Sequence, residues 1–169
     1  THWVRDTEEF MRKELEQKFV ERWPTWFHID GDISQTLMSF GFTHGDGWFD
    51  IVWRLCEDLE PLVAEVEVKT GRLFEVLQVK EKLGGLRFWT NHEVDAIAKR
   101  IQAAELESLY TCEVCGQPGA RRTERGMIRT VCGTCAGTME LCEPFVGTFW
   151  VYNGMLITHS PLLSKAEPY

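Results

Sequence analysis

The chain has 169 residues, a formal net charge of −8, 44% hydrophobic and 12% aromatic residues, and seven tryptophans. That is enough apolar side chain for one folded domain with a real core, too little length for two large ones, and it excludes a disordered chain. The acidic balance disfavours, without excluding, nucleic acid as a partner, and no apolar run approaches the roughly 20 residues of a membrane span.

The first predicted element is a helix over residues 6–22. Asp6 and Glu9 suit its first turn, Met11, Leu15, Phe19 and Trp23 recur four apart, and Pro24 stops it. Its charged face is expected to be solvated. Residues 24–47 read as irregular, because "HIDGDIS" and "FGFTHGDG" carry Gly and Asp at turn density. A second helix follows from Trp48, Ile51, Val52, Leu55, Cys56 and Leu59, which form one apolar stripe; Pro61 ends or restarts it.

Residues 72–80 have strand character, and "GLRFWT" beyond Gly84-Gly85 reads as the returning strand of a hairpin. Thr90 and Glu93 form a capping box for a third helix over 91–109, with Val94, Ile97 and Ile101 inward. In "FVGTFWVYNGMLITHS", Asn153-Gly154 signals a second tight hairpin before a frayed tail. The expected fold is α+β: helices on a small antiparallel sheet, with a core over 1–110, a cysteine module over 111–136, and a C-terminal hairpin and tail over 137–169 docked on the core.

The most specific motif is Cys112-x2-Cys115, then sixteen residues, then Cys132-x2-Cys135. Two intervening residues let one turn present two thiolates to an edge of a tetrahedron, and the distant pair closes the other edge. The spacing predicts a structural Zn2+ in a treble-clef or zinc-ribbon type module, with a short hairpin around Gly126. Four protein ligands leave no open position for a reactive water. Cys56 reads as a core residue, and Cys142 as a packing residue.

Two other constellations carry chemistry. His28, Asp30, Asp32, His44, Asp46 and Asp50 crowd the irregular region and suit either a hydrolytic metal site or turns and caps, with Asp46 placed to cap the second helix. In "LQVKEKLGGLRFWT", a Gly84-Gly85 turn sets Leu83 opposite Leu86 and Lys82 opposite Arg87. One face then carries Val79, Glu81, Leu83, Leu86 and Phe88, and the other Gln78, Lys80, Lys82, Arg87 and Trp89. The basic face suits a small anionic or nucleotide-like ligand, phosphate on Lys80, Lys82 and Arg87 and a ring on Trp89, or else a solvated surface.

The stretches "KELEQKFVERWPTWF" (13–27), "SFGFTHGDGWFDIV" (39–52), "VLQVKEKLGGLRFWT" (76–90), "AELESLYTCEVCGQPGARR" and "MIRTVCGTCA" resemble, in that order, a family of small zinc-ribbon proteins encoded mainly by bacteriophages and prophages. Members often close the ribbon with Cys-x-x-His, whereas Cys132 and Cys135 supply both positions here. The resemblance ends near residue 136 and carries no catalytic residues. It implies a bacterial host cytoplasm, and a small accessory protein of the kind that includes inhibitors of host defence, some sequestering nucleotide signals.

Three functions are thus expected to compete. The first is a non-enzymatic binder of a small anion. The second is a protein or nucleic-acid adaptor using Arg121, Arg122, Arg125 and Arg129, and the third a metal-dependent hydrolase using the Asp/His loop. Homo-oligomerisation stays open.

Overall fold

In the computed structural model, which describes residues 10–92 and 94–142 and the strand backbones of 150–152 and 155–157, the first helix is organised by Phe19. Helix α1 spans Lys13–Arg22 and lays Phe19 against Phe27, Phe42, Phe49 and Trp53 at ring separations of 4.7–5.7 Å. Tilted and edge-on ring pairs add to what burial alone contributes. The expected start at Asp6 and Glu9 lies outside the described residues. The solvated face needs correction: Glu16 is 2% exposed, accepts the Phe42 amide at 2.9 Å and pairs with Lys13. Without Glu16 a buried N–H would lose its partner, so a long-range bond overrides the charge pattern.

Helix α2 (Phe49–Thr70) buries Ile51, Val52, Leu55, Cys56 and Leu59 of the predicted stripe and runs through Pro61, while Trp48, also buried, lies just ahead of it. Proline forfeits one helical hydrogen bond, but Val63 and Val66 beyond it are buried, so packing carries the helix onward. Asp46 does not cap it. That residue opens a short 3-10 turn, Asp46–Trp48, and its carboxylate accepts Arg12 N at 2.9 Å and pairs with Arg12 Nε.

Strands β1 (Val76–Lys82) and β2 (Gly85–Thr90) form an antiparallel hairpin. Residues 72–75 stay outside the sheet, where Phe74 N donates to Glu67 Oε1 at 2.8 Å. Neither edge of this two-stranded sheet is left bare. Thr43 bonds β1 through Val79 O and Glu81 N at 3.1 and 3.0 Å, while Ser108 Oγ and Glu105 Oε1 accept from Leu86 N and Phe88 N on β2 at 2.9 and 3.1 Å. Covering an edge satisfies its backbone and blocks pairing with other chains.

Helix α3 (Asp95–Ser108) supplies those acceptors and buries Ile97, Ile101 and Ala104, with Val94 packed beside them. It begins later than the capping box predicts. Thr90 Oγ1 donates instead to His92 O at 2.9 Å, and Glu93 lies outside the described residues.

Beyond α3, strands β3 (Ala120–Glu124) and β4 (Met127–Val131) pair around Arg125-Gly126, as the sequence suggests. A strand not anticipated, β5 (Glu140–Leu141), adds to the far edge of β3. Strands β6 (Trp150–Tyr152) and β7 (Met155–Ile157) pair with Tyr152 opposite Met155; the predicted Asn153-Gly154 turn lies outside the described residues. The architecture is mixed α and β, with helices and small antiparallel sheets. Among the described residues no helix is long and apolar enough to cross a membrane.

Candidate functional site

Two places in the fold concentrate chemistry, and they touch. The first is the cysteine cluster: Cys112, Cys115, Cys132 and Cys135 bring their Sγ atoms within 4.8 Å of one another. Each pair sits on a tight turn. Gly116 N returns to Cys112 O at 2.9 Å in the first, and Cys135 N donates to Cys132 Sγ at 3.4 Å in the second. That amide stabilises a thiolate and holds Cys132 down to about 6. Val131 and Ala136 form a small apolar base with Cys112. Four soft thiol donors converging on one point can hold a metal ion.

The cluster is anchored to the core by the "HGDGW" loop. Gly47 N donates to Glu113 O at 2.7 Å, and Gly45 N reaches Glu113 Oε1 at 3.3 Å. Trp48 Nε1 donates to Thr111 O at 2.8 Å. Glu113 is itself buried, and takes a two-pronged bond from Arg129 Nε and Nη2 at 3.2 and 3.1 Å. Removing either partner would leave a buried charge uncompensated. Neither Glu113 nor the loop glycines are singled out by spacing; only the alternating Gly45 and Gly47 hint at a close backbone approach.

The second place is the outer face of the β1–β2 hairpin. Pairing sets Lys80 opposite Arg87, Val79 opposite Phe88, and Lys82 opposite Gly85. The turn is therefore Leu83-Gly84, with φ of 52° and 79°, and not Gly84-Gly85. A two-residue turn of this hand needs positive φ at both positions. The expected register shifts by two, an even number, so the two faces keep their membership except for Leu83, which leaves the strand for the turn. In the strand, a Cβ on Gly85 would come within 3.1 Å of Leu109 Cδ2 and Arg87 Nη1, while Leu83 carries the cost of a left-handed conformation.

The face that results gathers Gln78, Lys80, Lys82, Arg87 and Trp89, the four predicted ligand residues among them. Lys80 Nζ lies 4.8 Å from the Trp89 ring centre, Trp89 is 45% exposed, and Arg87 Nη1 donates to Leu86 O at 2.8 Å. Among the described residues neither Lys80 nor Lys82 takes part in an ion pair. Beside Trp89 runs an open groove of about 280 Å³, lined by Ile33, Thr36, Leu77 and Gln78 among others. On the opposite face of β1, burial raises the Glu81 carboxyl, which accepts Gly84 N at 2.6 Å.

The Asp/His loop is not brought together. Asp32 accepts Ser34 N at 2.8 Å, His28 stands 3.8 Å from Glu75, and Asp46 belongs to Arg12. Among the described residues the four cysteines are the group that can hold a metal. Of the arginines of the cysteine module, Arg129 is engaged by Glu113 and stands opposite Arg122, while Arg125 sits at the turn with φ 50°.

His44 is fully buried, its Nδ1 2.9 Å from Gly45 O, and desolvation lowers its pKa from 6.5 to about 4. The folded protein therefore resists a proton that the unfolded chain accepts. Stability is whole above the unfolded pKa and falls as pH drops towards the folded one, by about 3 kcal/mol. Denaturant melts between pH 7 and pH 4 should show this loss in the wild type and most of it absent in His44→Gln; parallel profiles would refute it. Taking the difference between the two proteins separates His44 from acid release of a metal.

No protein-family model, curated protein or solved structure matches the chain.

Proposed function

We propose that the protein is a non-enzymatic binder of a small anionic, nucleotide-like ligand, held on the outer face of the β1–β2 hairpin, with a structural zinc ion in a zinc-ribbon type module behind it. The observation that carries the reading is the placement of Lys80, Lys82 and Arg87 beside exposed Trp89, with Lys80 and Arg87 directly across the pair. Like charges facing each other across a sheet are unfavourable, and an anion between them removes the repulsion. A phosphate matches the guanidinium fork and ammonium donors, and the indole offers a flat surface to a base.

For the metal, a tetrahedral site with Zn–S distances of about 2.3 Å has sulfur–sulfur edges of about 3.8 Å. The Cys115 and Cys132 Sγ atoms are 3.7 Å apart, which matches one such edge, and all four lie within 4.8 Å of one another; both distances support a zinc site. When bound, the ion supplies cross-linking of the two turns. The resemblance to phage-encoded proteins adds the biological setting: a nucleotide signal of the host, captured and not turned over.

Thermal-shift measurements with a panel of nucleotides test the ligand. A ligand at a hundred times its Kd stabilises by about 2.7 kcal/mol, a rise of several degrees. Lys82→Ala and Arg87→Ala are each expected to weaken binding about tenfold or more. Absence of a shift with every phosphorylated compound would overturn the reading.

A further inference from the structure

The basic face does not stop at the end of the hairpin. Thr130 Oγ1 on β4 donates to Gly84 O, which seats the Leu83-Gly84 turn on the cysteine module. Arg121, on β3 opposite Thr130, lies along this turn: a Cβ on Gly84 would be 3.2 Å from both its Cγ and Cδ. At the neighbouring Gly85, the same construction meets Arg87 Nη1 at 3.1 Å and Leu109 Cδ2 at 3.1 Å. Two arginine side chains, Arg87 of the hairpin through its Nη1 and Arg121 of the cysteine module through its Cγ and Cδ, therefore lie against adjacent glycines at the carboxyl end of α3. Tyr110, 40% exposed, is close enough to Arg121 for its phenol to feel that charge.

Read along the hairpin, the order is Trp89, then Lys80 with Arg87, then Lys82 beside Gly85, then Arg121 across Gly84. Side chains on one face repeat every two residues, about 6.7 Å apart, so the distance from Trp89 to the Gly85 row is about 13 Å. A ring platform followed by cations at successive steps is the arrangement an extended phosphate chain requires. A single phosphate would engage only the first step. Glu81, next to the turn, sits on the opposite face of β1, is bonded to Gly84 N and lies within Coulombic reach of Arg87.

We infer that the anion site extends across Gly84 onto β3, with Arg121 as a further phosphate-binding residue, and that its ligand carries an oligophosphate chain. The inference rests on reading the hairpin face as an anion site, and it adds both a residue and a ligand class. It also makes the site composite, because Arg121 is placed by the cysteine module.

Calorimetric titration of the full metal-loaded chain with adenosine mono-, di- and triphosphate and with inorganic tripolyphosphate tests it. Affinity should rise about tenfold or more from mono- to triphosphate. Arg121→Gln, which keeps the Cγ methylene and a carbon at Cδ beside Gly84 but removes the charge, should abolish that rise and leave monophosphate binding within about twofold; Arg121→Lys should restore part of it. Unchanged melting temperature and metal content certify the variants as folded. A rise that survives Arg121→Gln, or equal affinity for one and three phosphates, overturns the inference while leaving the proposed function standing, provided Lys82→Ala still weakens binding; in that case the arginines serve only to offset the carboxyl end of α3. Failure of every phosphate compound to bind removes both. Tripolyphosphate binding as tightly as the triphosphate nucleotide would assign the site to the chain alone, without the ring.

Discussion

Stripping the metal from Cys112, Cys115, Cys132 and Cys135 is expected to lower the melting temperature by about 10 °C or more and to split unfolding into two steps. Among the described residues the cysteine module has Cys112, Val131 and Ala136 as its own buried apolar base, with Cys132, Cys135 and Met139 partly buried on it, too little to hold three short strands together. Structural zinc contributes about 10–16 kcal/mol of apparent free energy in small modules. Even a fraction of that, about 4 kcal/mol, corresponds to a shift of this size in a chain of this length. The aromatic core around Phe19 and α2 contains none of the four ligands, so it should melt later, at a temperature that chelation changes less. Calorimetry with and without a zinc chelator, alongside Cys112→Ser, is the measurement. Metal analysis that finds no zinc, or a melting curve indifferent to both treatments, would reject the structural metal. Because the module seats the hairpin turn through Thr130 and Gly84, chelation should also weaken the binding of phosphate ligands.

Gly47→Ala should destabilise the protein by roughly 3 kcal/mol or more, among the largest effects of any single methyl group in the molecule. The reason is spatial. Gly47 has no positive φ, so its backbone would accept any residue. Yet a Cβ would stand 2.1 Å from Cys112 O and 2.6 Å from both Glu113 O and Gly116 N. All three are backbone atoms of the first cysteine turn, and no side-chain rotation relieves the clash. The loop must lift off the cysteine turn, breaking the Gly47 N to Glu113 O bond and disturbing the buried Glu113–Arg129 pair. Gly71→Ala is the natural control: its φ is 66° with nothing within 4 Å, so it should cost only about 1–2 kcal/mol of backbone strain. Equal costs at the two positions, measured by denaturant unfolding, would show that the contact at Gly47 relaxes freely.

Much of the local structure is legible because it obeys short-range rules. The stripe from Ile51 to Leu59 declares α2, since a period of 3.6 residues leaves one apolar face with no other use. The two Cys-x-x-Cys pairs announce their own convergence, because that spacing is the one that puts two sulfurs on one turn. The hairpin faces follow from alternation alone, and survive a register error of two residues for the same reason. What escapes is what depends on a distant partner. Glu16 looks like one more solvated carboxylate until the Phe42 amide arrives beside it. Asp46 has the chemistry of a helix cap, but Arg12 claims it. Leu83 takes a left-handed turn position that its side chain disfavours, while Gly85, the expected turn residue, lies in the strand beside Leu109 and Arg87.

The sequence by itself therefore determined the helices, the hairpin with its basic and apolar faces, and the identity of the four thiols that converge, all written in patterns a few residues long. Only the tertiary structure decided that the "HGDGW" loop, the hairpin turn and the cysteine module meet at one place, through Gly47 on Glu113 and Thr130 on Gly84. Those contacts join residues far apart in the chain through backbone atoms and missing Cβ groups, which leave no periodicity and no charge pattern to read.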